Sequence, residues 1–284
     1  MNDILIIFPS WEERSFLGFQ KDIEKYQNLN KVFLFRFEKS AHPSETHKRI
    51  SEIKNACLIK NIVSEDLSIP NTEVEKWRTL ENFARNLDAN TTIYIDITTM
   101  PRSIIWTLFF FFKQRFQQAT VLYYKPREYS NEWLSKDPGI PQLLFKHSGI
   151  VEFGKPTTLF VLTGYDEDRV IQLVNYYEPQ NVIVGECNQR SSCEYGIKPE
   201  VFNIDEYDAT WGYDIIESKI KNILESSNLI VASLGPKTGA ISVYQCFMKY
   251  PQIALAYVPC KEFNIDYCSG IGEEFIKTIK LKNV

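Results

Sequence analysis

The chain has 284 residues, 36 Asp and Glu against 32 Lys and Arg, and a formal net charge of −4. That balance excludes a general binder of polyphosphate backbones, so nucleic acid is not an expected partner, although a local basic patch is compatible with it. The composition, 44% hydrophobic and 24% charged, is ordinary for a globular chain, and the length suits one large or two medium domains.

The longest apolar stretch is IIWTLFFFF at 104–112, far short of the roughly 20 residues that a membrane span needs. It reads as a core helix, and no membrane association is expected. The N-terminal MNDILIIF reads as a strand rather than as a signal peptide. With six Cys placed mostly inside strands and helices, this predicts a reduced, cytoplasmic protein. Cys187, Cys193, Cys260 and Cys268 lack the CxxC spacings of common zinc sites, so neither a metal nor another cofactor is expected.

In chain order, apolar runs predict strands at 4–8, 31–37, 57–63, 92–97 and 120–124. Helical patterns fall between them at 12–26, 43–55, 73–87 and 103–116. Residues 125–155 are rich in Pro, Gly and charge and read as a long excursion that covers a site or packs across lobes. The pattern then restarts. Strands are predicted at 158–162, 181–185, 200–204, 229–232 and 253–257, with a polar loop at 189–196. Helices are predicted at 168–177, 213–225, 240–249 and, at the end, 273–280. Strands alternating with helices imply mostly parallel sheets covered on both faces. The expected fold is therefore α/β with two Rossmann-like lobes, at 1–137 and 157–284, joined by a linker at 138–156.

Three motifs recur in the same order at strand ends. Ser10-Trp11-Glu12-Glu13-Arg14 matches Gly164-Tyr165-Asp166-Glu167-Asp168-Arg169, and Met100-Pro101-Arg102-Ser103 matches Gly235-Pro236-Lys237-Thr238. Tyr124-Lys125-Pro126 matches Tyr257-Val258-Pro259. This order predicts an internal duplication, with both sets of strand ends turned toward one cleft.

TTIYIDITTMPRS at 91–103 and NLIVASLGPKT at 228–238 carry the chemistry. Each is a strand emptying into a helix N-terminus, where free N–H groups and the helix dipole favour an anion. Ser10, Thr98, Thr99 and Arg102 are the candidate ligand contacts of the first lobe, and Ser233, Gly235, Lys237 and Thr238 those of the second. Arg102 lies at the positive end of its helix, where a bound anion offsets the local repulsion, but it can instead pair with a neighbouring acid. Asp96 is the best catalytic candidate, since a carboxylate there can orient a ribose hydroxyl, hold a metal or act as a base, but it can equally cap the next helix. SLGPKTG is not a Walker A loop, because GxxxxGK[ST] is absent. The acid-Arg turns lack GxGxxG, so a bound dinucleotide is not expected.

Trp11 and Tyr165 can stack on a base or cover a sheet edge. His42, His47 and His147 fit no triad or HExxH pattern, and His147 is the one expected nearest a site. Lys125, Arg127 and Lys136, mixed with Tyr129 and Trp133, read as a lid or partner surface.

The strand-turn-helix units DITTMPRS and SLGPKTG resemble those of CARF-type domains of CRISPR-associated proteins. DITTMPRS lacks their Gly pair, whereas SLGPKTG keeps Gly, Lys and Thr. The resemblance implies a pseudo-dimeric, non-catalytic sensor or scaffold subunit that binds a nucleotide-type or other anionic ligand in bacterial phage defence, with output through a partner protein. A ring-nuclease-like hydrolase using Asp96, Arg102, Lys237 and Thr238 is the catalytic alternative. A protein-protein interaction module with no small ligand is the third.

Overall fold

The computed structural model describes residues 3–164, 167–187 and 197–282. The predicted loop at 189–196, with Cys193, and the pair Tyr165 and Asp166 lie outside the described residues. Two compact units divide the chain: Met1–Trp133 with Phe263–Val284, and Leu134–Glu262.

The first unit opens with β1 (Asp3–Ile7), α1 (Arg14–Lys25), β2 (Leu29–Phe37), α2 (Pro43–Ile59) and β3 (Val63–Ile69). It continues with α3 (Glu73–Asn86), β4 (Thr92–Asp96), α4 (Arg102–Arg115), β5 (Gln118–Tyr124) and β6 (Glu128–Tyr129). The second unit holds β7 (Ser135–Pro138), β8 (Gln142–Leu143), β9 (Thr157–Thr163), α5 (Glu167–Tyr177), β10 (Asn181–Glu186) and β11 (Glu200–Asn203). It then runs through α6 (Tyr213–Leu224), β12 (Asn228–Ser233), α7 (Lys237–Lys249), β13 (Ala254–Tyr257) and β14 (Cys260–Phe263), whose last residue already belongs to the first unit. The chain finally returns to the first unit as β15 (Cys268–Ser269) and β16 (Glu274–Lys280).

The fold is α/β, with two mostly parallel six-stranded sheets flanked by helices, as two Rossmann-like lobes require. The strand order is β16-β5-β4-β1-β2-β3 in the first sheet and β11-β10-β9-β12-β13-β8 in the second. Counted within its own half, each sheet is ordered third, second, first, fourth, fifth, and the strand beyond the fifth is antiparallel. The helices differ, since no helix separates β10 from β11 among the described residues.

The central strands are apolar throughout because both sheet faces are covered. Leu5, Ile6, Leu34, Ile95 and Val121 are fully buried. The IIWTLFFFF stretch is the core helix α4, buried almost all round, with Trp77 of α3 packed on Phe110 and Phe111. Among the described residues no helix is long and apolar enough to cross a membrane.

Two predicted elements are corrected. The run at 57–63 is not a strand: Cys57 ends the buried stripe that α2 builds with Ile50 and Ile53, and the helix continues to an exposed Leu58 and Ile59. Asn61, with φ 56°, follows the helix, and the strand begins only at Val63. β3 pairs with β2 on one side only and reads VSEDLSI, so it lacks an apolar signature. Residues 273–280 do not form a helix either. Phe275, Ile276 and Ile279 suit helical spacing, but the segment pairs along its whole length with β5, from Glu274 opposite Tyr124 to Lys280 opposite Gln118.

The antiparallel strands have a reciprocal origin. β8, from the segment after β5, closes the second sheet against β13, while β16, from the segment after β13, closes the first against β5. The two small sheets follow the same rule, β6 pairing with β15 and β7 with β14. The end of the chain thus completes the first unit, where the sequence placed it in the second lobe, and part of the expected 138–156 linker is β8.

Candidate functional site

Open α/β sheets bind ligands outside the strand C-termini where the strand order reverses. That point lies between β1 and β4 in the first unit and between β9 and β12 in the second. Both Pro-basic turns chosen from the sequence fall there.

In the first unit the turn after β4 is tied to both neighbouring strands. Asp96 Oδ1 accepts from the Thr98 backbone N–H at 2.7 Å. Thr98 Oγ1 accepts from the Tyr124 N–H at 3.0 Å, joining the turn to β5. Thr99 Oγ1 donates to the Phe8 carbonyl at 2.5 Å, joining it to the end of β1. Ser10 is buried, and its hydroxyl accepts from the Glu12 N–H at 3.2 Å. Pro101 then takes the N-cap position of α4 in an extended conformation, and Arg102 is the first helical residue, half-buried. No side chain caps this helix, and its first turn has no acid. Its leading N–H groups carry the positive end of the helix dipole, with Arg102 at the same end.

The acid-Arg turn is not a solvated helix start. Arg14 and Glu12 are buried and paired, Nε to Oε2 at 2.8 Å. Arg14 Nη1 also donates to the Tyr124 carbonyl at 3.2 Å, and the Cys268 thiol donates to Glu12 Oε2 at 3.0 Å. Glu12 holds the guanidinium charged despite its burial.

A second buried acid, missed in the sequence, lies beneath the strand ends. Asp22 of α1 is fully buried. Its Oδ1 accepts from the Tyr124 hydroxyl at 2.7 Å, and that hydroxyl lies 2.8 Å from Glu274 Oε1 of β16. Asp22 Oδ2 is buried with no hydrogen-bond partner. Burial, and then the nearby Asp96, push the Asp22 carboxyl well above the usual carboxylate range. Gly18, one turn earlier, makes room for the Tyr124 ring, since a Cβ there would lie 2.7 Å from Cδ2.

The returning C-terminal segment packs over this end of the unit. The Phe263 carbonyl lies 2.8 Å from His42 Nε2, and Trp11 packs against both His42 and Phe263, with ring centroids 4.9 and 5.5 Å away. Trp11 therefore covers protein rather than standing clear for a base. Tyr129 packs on Tyr267, and the Trp133 carbonyl accepts from Asn264 Nδ2 at 2.9 Å. This part of the excursion is a surface for the chain's own C-terminal segment.

In the second unit, Ser233 and Thr238 are buried, and their hydroxyl oxygens have no hydrogen-bond partner. Lys237 opens α7 behind Pro236 and is half-buried. The unpredicted residue is Glu206, wholly buried on the connection between β11 and α6. Its carboxylate lies against both glycines of SLGPKTG. A Cβ on Gly235 would stand 2.6 Å from Glu206 Oε2, and one on Gly239 would overlap Oε1 and stand 2.6 Å from Cδ. The glycines therefore make space for an acid of the same chain.

Arg169 Nε lies 2.8 Å from Cys260 Sγ, and its Nη2 donates to Ser135 Oγ at 2.9 Å. His147 is a core residue, its ring 4.6 Å from that of Phe247, with Nδ1 2.9 Å from the Phe145 carbonyl. Among the described residues no group of three or more His, Cys, Asp or Glu is arranged to hold a metal ion. The chain matches no protein-family model and no curated protein.

Proposed function

We propose that the first unit is a ligand-sensing lobe for a nucleotide-type or other anionic molecule, bound outside the ends of β1 and β4. One observation carries this reading: α4 starts at the strand-order reversal with Arg102, no capping side chain and no first-turn acid. Arg102 and the leading amides of α4 would take the negative group, with Ser10 and Thr99 lining the turn. Asp96 supports a non-catalytic role, because it is buried and its Oδ1 holds the Thr98 amide. On the CARF-type resemblance, the protein would be a cytoplasmic subunit of a bacterial defence assembly that signals through a partner protein.

A thermal-shift screen with mononucleotides, dinucleotides and cyclic oligonucleotides tests the reading. At least one should raise Tm in the wild type and lose its effect in Arg102→Ala. A panel without any response removes the sensor reading.

A further inference from the structure

We propose that the turn between β12 and α7 is an oxyanion site plugged by the chain's own Glu206. Three observations meet there. SLGPKTG delivers the N-terminus of a thirteen-residue helix with no acid in its first turn and no side-chain cap. Such a terminus attracts a negative group. A fully buried carboxylate lies between Gly235 and Gly239, at the two positions where a Cβ would collide with it. On the same turn, Ser233 and Thr238 hold buried hydroxyl oxygens without hydrogen-bond partners, groups suited to an oxyanion.

The segment that carries Glu206 is braced. Asp205 Oδ1 accepts from the Tyr207 N–H at 2.9 Å, and Asp208 Oδ1 accepts from the Thr210 and Gly212 N–H groups at 2.7 and 3.0 Å. Trp211 and Gly212 both take positive φ, 59° and 73°, and Ser242 of α7 donates to the Trp211 carbonyl at 2.8 Å. The segment is thus fixed to the helix whose first turn Glu206 lies against. With the plug in place the second unit takes no external anion. Without it, the turn accepts a small oxyanion of the carboxylate or phosphate class. This inference does not depend on a ligand in the first unit.

The test uses the full-length chain. Glu206→Ala should lower Tm by about 4 °C or more in low-salt buffer. Formate, and separately inorganic phosphate, should recover most of that loss, beyond what sodium chloride achieves at equal ionic strength. The wild type should show no such response. Arg102→Ala in the same background should leave the recovery intact, which separates this site from the first unit. Glu206→Gln keeps the shape and puts a neutral amide in place of the carboxyl group, so it reports even if the alanine variant does not fold. Its Tm should fall below that of the wild type. A Glu206→Gln protein as stable as the wild type, or a folded Glu206→Ala protein that neither anion restores, overturns the proposal.

Discussion

Replacing Asp22 by Asn should make the protein relatively more stable as pH rises. Asp22 is fully buried, bonded through one oxygen to the Tyr124 hydroxyl, and its other oxygen has no partner. Burial and the neighbouring Asp96 raise its pKa well above the ordinary value of 3.8. Below that value the carboxyl is protonated in both folded and unfolded chains, and its contribution to stability is fully present. Above it the unfolded chain ionises while the folded chain keeps its proton, so stability falls as pH rises toward the folded pKa. The loss is about 1.4 kcal/mol per pH unit. Glu274, Lys25 and Tyr124 stay in place in the variant, so their own titration largely cancels in the comparison. Asn is neutral at every pH and of the same size. It removes this slope at the cost of a buried, unpaired amide, about 1–3 kcal/mol and independent of pH. Urea denaturation of both proteins from pH 4.5 to 8 should show the wild type ahead at the acid end. Its advantage should shrink by about 1.4 kcal/mol per unit and then reverse. Parallel curves would refute the reasoning, because they would mean that Asp22 ionises in the fold.

Arg14→Met leaves Glu12 buried without its partner and should cost about 3–5 kcal/mol, while Glu12→Gln with Arg14→Met should cost less than that single change, as read by chemical denaturation. Gly18→Ala drives a Cβ into the Tyr124 ring, and the overpacking, about 1–3 kcal/mol, should exceed the gain of about 1 kcal/mol in helix propensity. Deleting 263–284 strips β16 from β5 and Glu274 from Tyr124, so the first unit should lose its cooperative unfolding transition by circular dichroism.

Much of the fold was legible. Alternating apolar runs and amphipathic stretches gave two α/β lobes, and the turns at Met100–Ser103 and Gly235–Thr238 fall at the two strand-order reversals. The illegible parts depend on partners distant in sequence. β16 has spacing compatible with a helix, and only the free edge of β5 makes it a strand. β3 is an edge strand with few apolar residues, so its start was displaced into the end of α2. Glu12 and Arg14 look like the acids and bases of any helix start, and their burial requires the Tyr124 carbonyl and Cys268 to close over them. Glu206 lies 31 residues before Lys237 (237 less 206), in a polar connection with no motif of its own. Its one sequence signal was the spacing of Gly235 and Gly239, which also suits a phosphate. Glycines at a helix start show that something must approach the backbone, not whether that group belongs to a ligand or to the chain.

The central claim is that one switch point, in the first unit, is open to an anion while the other is filled from within. Isothermal titration of the wild type with whichever nucleotide gives the largest thermal shift measures this directly. The account predicts one equivalent bound per chain, affinity at least tenfold weaker in Arg102→Ala, and little change in Lys237→Ala. Two equivalents per chain, or binding that Lys237→Ala abolishes and Arg102→Ala leaves intact, would contradict it.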